Sequence, residues 1–155
     1  MTLYNANLDI AKEMFNNSNS IGLIGHGGNL AICQHMASDI ARHTGKFCVT
    51  ANAIEITALQ TDNPTVPWQQ QWVDHCYNNI DLFIGVTCRL NNDIVKSLNT
   101  LSDKSKVLLI APKKHDNIHT ITLDQCRNYH EFEVNALWTI YMLMESIGVQ
   151  LPELP

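Results

Sequence analysis

Three clusters of residues in this chain have the types and spacing to do chemistry. The first is a pair: His35 and Asp39 stand four residues apart, so on a helix both face one way and could reach one ion. His43 extends the same stripe, in the place of a solvated or capping helix-end residue. The second is Gly25-His26-Gly27-Gly28-Asn29, which follows the apolar run Ile21, Leu23, Ile24. A helix that opens after such a turn, with Asn29 as the expected N-cap, points unpaired N–H groups and a positive dipole end into a crevice. That makes an anion site, most often a phosphate site. The third is the loop Cys88-Arg89-Leu90-Asn91-Asn92, after a strand that ends at Thr87. The Arg89 guanidinium can grip a phosphate bidentately, or pair with Asp93 as a surface ion pair. Cys88 has no assigned base, and such a loop thiol is inert more often than nucleophilic.

The elements that must position these residues follow from periodicity and turn signals. Residues 3–16 place Leu3, Ile10, Ala11, Met14 and Phe15 at helical spacing, and Asn16-Asn-Ser-Asn-Ser20 ends that helix. A strand is expected over 20–25, a helix over about 29–44 closed by Gly45, and a short strand over 47–50. Residues 54–59 read as a turn or two of helix, and 61–67, with two prolines, as a loop. A helix over 68–77 precedes the strongest strand, 81–87, and then a helix from Asp93 to about Leu101. The apolar run 107–111 is a buried strand, 120–123 alternates as an edge strand, and the longest helix spans about 129–147. Apolar strands alternating with helices predict a three-layer α/β/α, doubly wound, mostly parallel sheet. Ligands in such sheets sit outside the carboxyl ends of the strands, here Gly25–Asn29 and Thr87–Asn92.

Composition narrows the function classes. A length of 155 residues suits one domain spanning 1–155, and 45% hydrophobic with 16% charged residues is globular. A net charge of −5, with no basic cluster larger than Lys113-Lys114, argues against a nucleic-acid partner. The five cysteines are odd in number and contain no CxxC pair, against a disulfide framework or zinc ribbon. No leader and no membrane-length apolar run is seen, so no membrane partner and a cytoplasmic location are expected. A dinucleotide fingerprint fails at Leu30, and no Gly-Lys-Ser/Thr follows the turn to make a nucleotide-phosphate loop.

Taken together, Gly25-His-Gly-Gly-Asn29 with His35 and Asp39 resembles the sugar isomerase (SIS) domain, and within it the phosphoheptose isomerase group. That group has a strand, Gly-Asn-Gly-Gly-Ser, then a helix carrying a His and, four residues on, a Glu. Its Thr-Ala-Ile-Gly-Asn-Asp is matched by Thr57-Ala-Leu-Gln-Thr-Asp62, and its Gly-Ile-Ser-Thr-Ser-Gly-Asn-Ser by Gly85-Val-Thr-Cys-Arg-Leu-Asn-Asn92. The resemblance covers nearly all of residues 20–147. It implies the SIS fold and a sugar-phosphate ligand such as sedoheptulose 7-phosphate, with Gly27, Gly28, Asn29, Asp62, Thr87, Cys88, Arg89 and Asn92 in the phosphosugar-binding positions. It also implies His35 as a zinc ligand and Asp39 as ligand and catalytic base.

The chain departs from the family at functional positions. Only Thr87 keeps a hydroxyl where the family holds phosphate with serines, and Asp39 is shorter than Glu by one C–C bond, about 1.5 Å. The family's further ligands, a Gln and a His eight residues apart, belong on the last helix. The registers there pair Phe132 with Ile140, His130 with Trp138, or Glu133 with Tyr141, and none supplies the His. The full four-ligand zinc site is therefore not expected; His130 or Glu133 could complete a weaker three-ligand site with His35 and Asp39. Two functions stay open: an isomerase using Asp39, or a binding module that senses a phosphosugar or docks a protein without turnover. The last helix is apolar nearly all round, so a homo-oligomer is expected, a dimer rather than a tetramer.

Overall fold

The computed structural model describes residues 7–155. Its elements are α1 (Asn7–Asn17), β1 (Ser20–Gly25), α2 (Gly28–Thr44), β2 (Phe47–Thr50), α3 (Ala53–Asp62), α4 (Trp68–Cys76), β3 (Leu82–Val86), α5 (Asp93–Asn99), β4 (Val107–Ala111), β5 (His119–Thr122) and α6 (Tyr129–Ser146). The strands form one sheet in the order β2-β1-β3-β4-β5, and every pairing is parallel. The expected mostly parallel sheet is thus parallel throughout, with β5 at one edge and β2 at the other.

Side chains leave a strand alternately to its two faces, and the two cores follow that alternation. Ile21, Leu23, Leu82, Ile84 and Val86 turn toward α1, α2 and α6. Ile24, Phe83, Val107 and Leu109 turn toward α4 and α5, where Trp72 stands edge-on to Phe83 at 6.2 Å. Helices therefore cover both faces of a sheet whose central strands are wholly buried. The sheet is held at its amino end by Asp81, whose carboxylate accepts from the backbone N–H of Asn19 at 2.9 Å and of Ser20 at 3.1 Å.

Two sequence expectations shift. The first helix begins within the described residues at Asn7; Leu3 lies outside them, and Ile10 is exposed although Leu8, Ala11 and Phe15 are buried. The helix expected over 54–59 runs Ala53–Asp62, so Thr61 and Asp62 leave the expected loop. It buries no residue, so no apolar stripe marked its length. Asn52 and Glu55 start it with a reciprocal capping box, and Gln71 Nε2 reaches the carbonyls of Leu59, Asn63 and Val66 at its far end. The last helix spans Tyr129–Ser146 as read, exposing Val134 and Trp138. Among the described residues no helix is long and apolar enough to cross a membrane.

Candidate active site

The crevice begins where β1 stops. A Cβ on Gly25 would lie 2.7 Å from the backbone carbon and oxygen of Asn29, so only glycine lets the chain fold back this tightly. Gly27 adopts φ +52°, in the left-handed region that favours glycine, and it, not Asn29, is the N-cap of α2. Asn29 sits in the first helical turn instead, 6% exposed. With its amide assigned so that Nδ2 donates to Cys88 Sγ at 3.5 Å, its Oδ1 is buried without a partner.

The facing loop leaves β3 and bonds to itself. The Thr87 hydroxyl donates to Arg89 O at 2.9 Å and accepts from Arg89 N–H at 3.1 Å and Asn92 Nδ2 at 2.5 Å. Asn92 Oδ1 caps α5 by accepting from Val95 N–H at 3.1 Å. The polar groups of Thr87 and Asn92 thus build the loop. Arg89 is different: among the described residues no acid pairs with it, and its guanidinium donates to the Tyr129 hydroxyl at 3.0 Å. Asp93 pairs instead with Lys96 at 3.7 Å, so the Arg89–Asp93 ion pair left open by the sequence is not formed.

Between turn and loop lies a cavity of about 320 Å³, lined by His26, Asn29, Thr87, Cys88, Arg89, Asn92, Tyr129 and Glu133. The Glu133 carboxylate lies against Gly28, where it occupies the space a Cβ would need. Burial pushes the Cys88 thiol up and keeps it protonated, in keeping with an inert thiol. His26 also borders a second cavity, of about 650 Å³, formed with Gln60, the 64–67 loop, Trp68, Gln69 and Asp93. Its Nε2 lies 3.1 Å from Gln69 Nε2 and its ring edge-on to Trp68 at 6.1 Å. Burial lowers the His26 pKa against the raising effect of Asp93, so the imidazole is neutral near pH 7.

His35 and Asp39 share a helix face as expected, but they line neither cavity. Asp39 lies ten residues beyond Asn29, about 15 Å along α2. Its Oδ2 accepts from the Tyr141 hydroxyl at 2.6 Å and its Oδ1 from Arg42 at 2.9 Å, while His35 Nε2 lies 3.0 Å from the same hydroxyl and 3.3 Å from Oδ2. Burial pushes the Asp39 pKa up, but these hydrogen bonds and the charges of His35 and Arg42 prevail and hold it below the usual carboxylate value. Burial and the Asp39 carboxylate in turn push the Tyr141 phenol up to about 12, so it stays a donor.

These contacts choose among the three registers of the last helix: Tyr141 meets Asp39, and Glu133, eight residues earlier, meets Gly28. Phe132 and Ile140 point into the core, and His130 is exposed, 3.8 Å from Glu133. Glu133 thus meets the first residue of α2, while His35 and Asp39 lie seven and eleven residues further along the helix. Among the described residues no three His, Cys, Asp or Glu side chains gather to hold an ion. The donor set does not fit the zinc that the resemblance implies, because an arginine and a phenol already hold both oxygens of Asp39. Asp62 is exposed at the end of α3 and lines neither cavity.

Spacing alone missed His26, Gln69, Tyr129 and Arg42. Two of them carried a signal: His26 sits inside the glycine turn, and Arg42 stands at i+3 from Asp39.

No protein-family model matches the sequence, and no curated protein does. Solved structures do. Phosphoheptose isomerase GmhA from Neisseria gonorrhoeae is similar over 91% of this chain and 84% of its own, with a TM-score of 0.65 and 16% identity. A phosphoheptose isomerase from Francisella tularensis is similar over the same shares, with a TM-score of 0.73 and 13% identity.

Proposed function

We propose that the chain, which has the SIS fold of these phosphoheptose isomerases, binds a sugar phosphate in the crevice between Gly27–Asn29 and Thr87–Asn92, and does so without zinc and without the His35–Asp39 chemistry of an isomerase. The observation that carries this reading is the closed cluster of Tyr141, Asp39, Arg42 and His35. A catalytic base needs a free lone pair aimed at the substrate's proton. Both Asp39 oxygens already accept hydrogen bonds, from Tyr141 and Arg42, and Asp39 lies ten residues beyond Asn29, about 15 Å along α2.

Three things support the ligand class. The cavity lies at the carboxyl ends of β1 and β3, where parallel sheets take their ligands. Among the described residues the Arg89 guanidinium is bonded only to the Tyr129 hydroxyl, which leaves it free to donate to a phosphate. The two solved structures of this fold act, by their names, on phosphoheptoses. The exposed Val134 and Trp138 on α6 support a homodimer as the working form. A thermal-shift titration with heptose and hexose phosphates tests the binding; no shift with any of them would sink it.

A second reading, turnover, is favoured by one observation: His26 is a neutral imidazole facing the crevice. Its test is exchange of the sugar phosphate's C–H next to the carbonyl in deuterated water. Exchange that is lost in His26→Asn makes the protein an enzyme with a different base; no exchange leaves the binding reading.

A further inference from the structure

The sequence suggests an anion at the start of α2, but the groups found there are of the opposite kind. The N–H groups of Asn29, Leu30 and Ala31 are bonded to the turn carbonyls of His26 and Gly27, at 2.9, 3.0 and 3.2 Å. The Glu133 carboxylate, reaching across from α6, rests on Gly28, where its negative charge sits well against the helix dipole. Beside it, Asn29 Oδ1 is an acceptor with no donor, on a side chain 6% exposed. The Thr87 hydroxyl, which could have turned a proton toward an anion, is fully used within its loop. Two acceptors, the Glu133 carboxylate and Asn29 Oδ1, therefore line the same cavity as the cation Arg89.

We propose that Glu133 sets the charge preference of the crevice: with Asn29 it receives a hydrogen-bond-donating group of the ligand, a hydroxyl or an ammonium, and turns the phosphate away from α2 toward Arg89. A phosphate dianion placed at Gly28 would face a carboxylate in contact distance, with the N–H groups of Asn29, Leu30 and Ala31 already bonded within the turn. A sugar hydroxyl or amine there would give Asn29 Oδ1 its missing partner and the carboxylate a charge-assisted one. This inference rests on the sugar-phosphate reading above and adds the ligand's orientation and the chemistry of its other end.

The test is calorimetric titration of the wild type, Glu133→Gln and Gly28→Ala with inorganic phosphate, glucose 6-phosphate and glucosamine 6-phosphate. Gly28→Ala displaces the carboxylate without changing its charge, and so serves as a second variant should the first fold poorly. In both variants inorganic phosphate should bind at least fivefold more tightly and the sugar phosphates more weakly. A wild-type preference for the amino sugar, lost in Glu133→Gln, identifies an ammonium; equal wild-type binding of the two sugars identifies a hydroxyl. Unchanged binding in both variants overturns the proposal, as does tighter binding of the sugar phosphates and inorganic phosphate alike, which would leave Glu133 a mere repellent. If no ligand binds any of the proteins, this proposal falls together with the sugar-phosphate reading; if all bind and only Glu133 is indifferent, it falls alone.

Discussion

Tyr141→Phe removes one oxygen atom and tests whether Asp39 is locked. The lost hydroxyl donates to Asp39 Oδ2 at 2.6 Å, and the phenyl ring keeps the shape of the side chain on α6. Asp39 is 7% exposed, so water does not simply take the donor's place. Hydrogen bonds to charged groups contribute about 1.5–3 kcal/mol. In a domain of this size each kcal/mol moves Tm by roughly 2–4 °C, so the variant should melt about 3–12 °C below the wild type at neutral pH. The sign of the pH dependence follows from the depressed carboxylate, whose ordinary value is 3.8. Stability from such a group is fully present above the unfolded-state value and is lost as pH falls through the lower folded-state value. Because Tyr141 supplies part of that depression, the gap between variant and wild type should be widest near neutrality and narrow below about pH 4. Scanning calorimetry at several pH values between 7 and 3 measures both. Identical melting at pH 7, or a gap that stays constant down to pH 3, would refute the lock.

Other substitutions probe the two loops that form the crevice. Thr87→Val keeps the shape of a residue 2% exposed but orphans the Arg89 N–H and the Asn92 amide, and should cost about 2–4 kcal/mol in urea unfolding. Gly25→Ala drives a methyl into the Asn29 backbone, which cannot yield without moving α2, and should cost at least about 1–3 kcal/mol in the same measurement. Gly28→Ala meets only the flexible end of Glu133 and should leave the unfolding midpoint almost unchanged. Equal costs for the two glycines would contradict this description of the turn.

The fold was legible because its signals were local. The strands β3 and β4 are unbroken apolar runs, and the glycine turn and Gly45 bracket α2. The helix α3 was under-read because it is fixed by a capping box and by Gln71 rather than by a buried stripe. At the site, residue type gave position but not use. Thr87 and Asn92 look like ligand groups until their hydrogen bonds are traced back into their own loop. Asn29 has the type of an N-cap, yet the positive φ at Gly27 starts the helix two residues earlier. The register of α6 was ambiguous by one or two positions because it depends on a contact 102 residues apart in the chain, Tyr141 to Asp39. Through that same contact, the pair that spacing offered to a metal is met by a phenol and an arginine.

Calorimetric titration of the wild type and Arg89→Ala with sedoheptulose 7-phosphate, with and without zinc and chelator, bears most directly on the function. Saturable binding is expected in the wild type, indifferent to zinc and chelator. It should weaken roughly tenfold or more in Arg89→Ala, as the loss of a charged hydrogen bond requires. Binding that appears only with zinc and disappears in His35→Ala, or binding unchanged by the loss of Arg89, would contradict it.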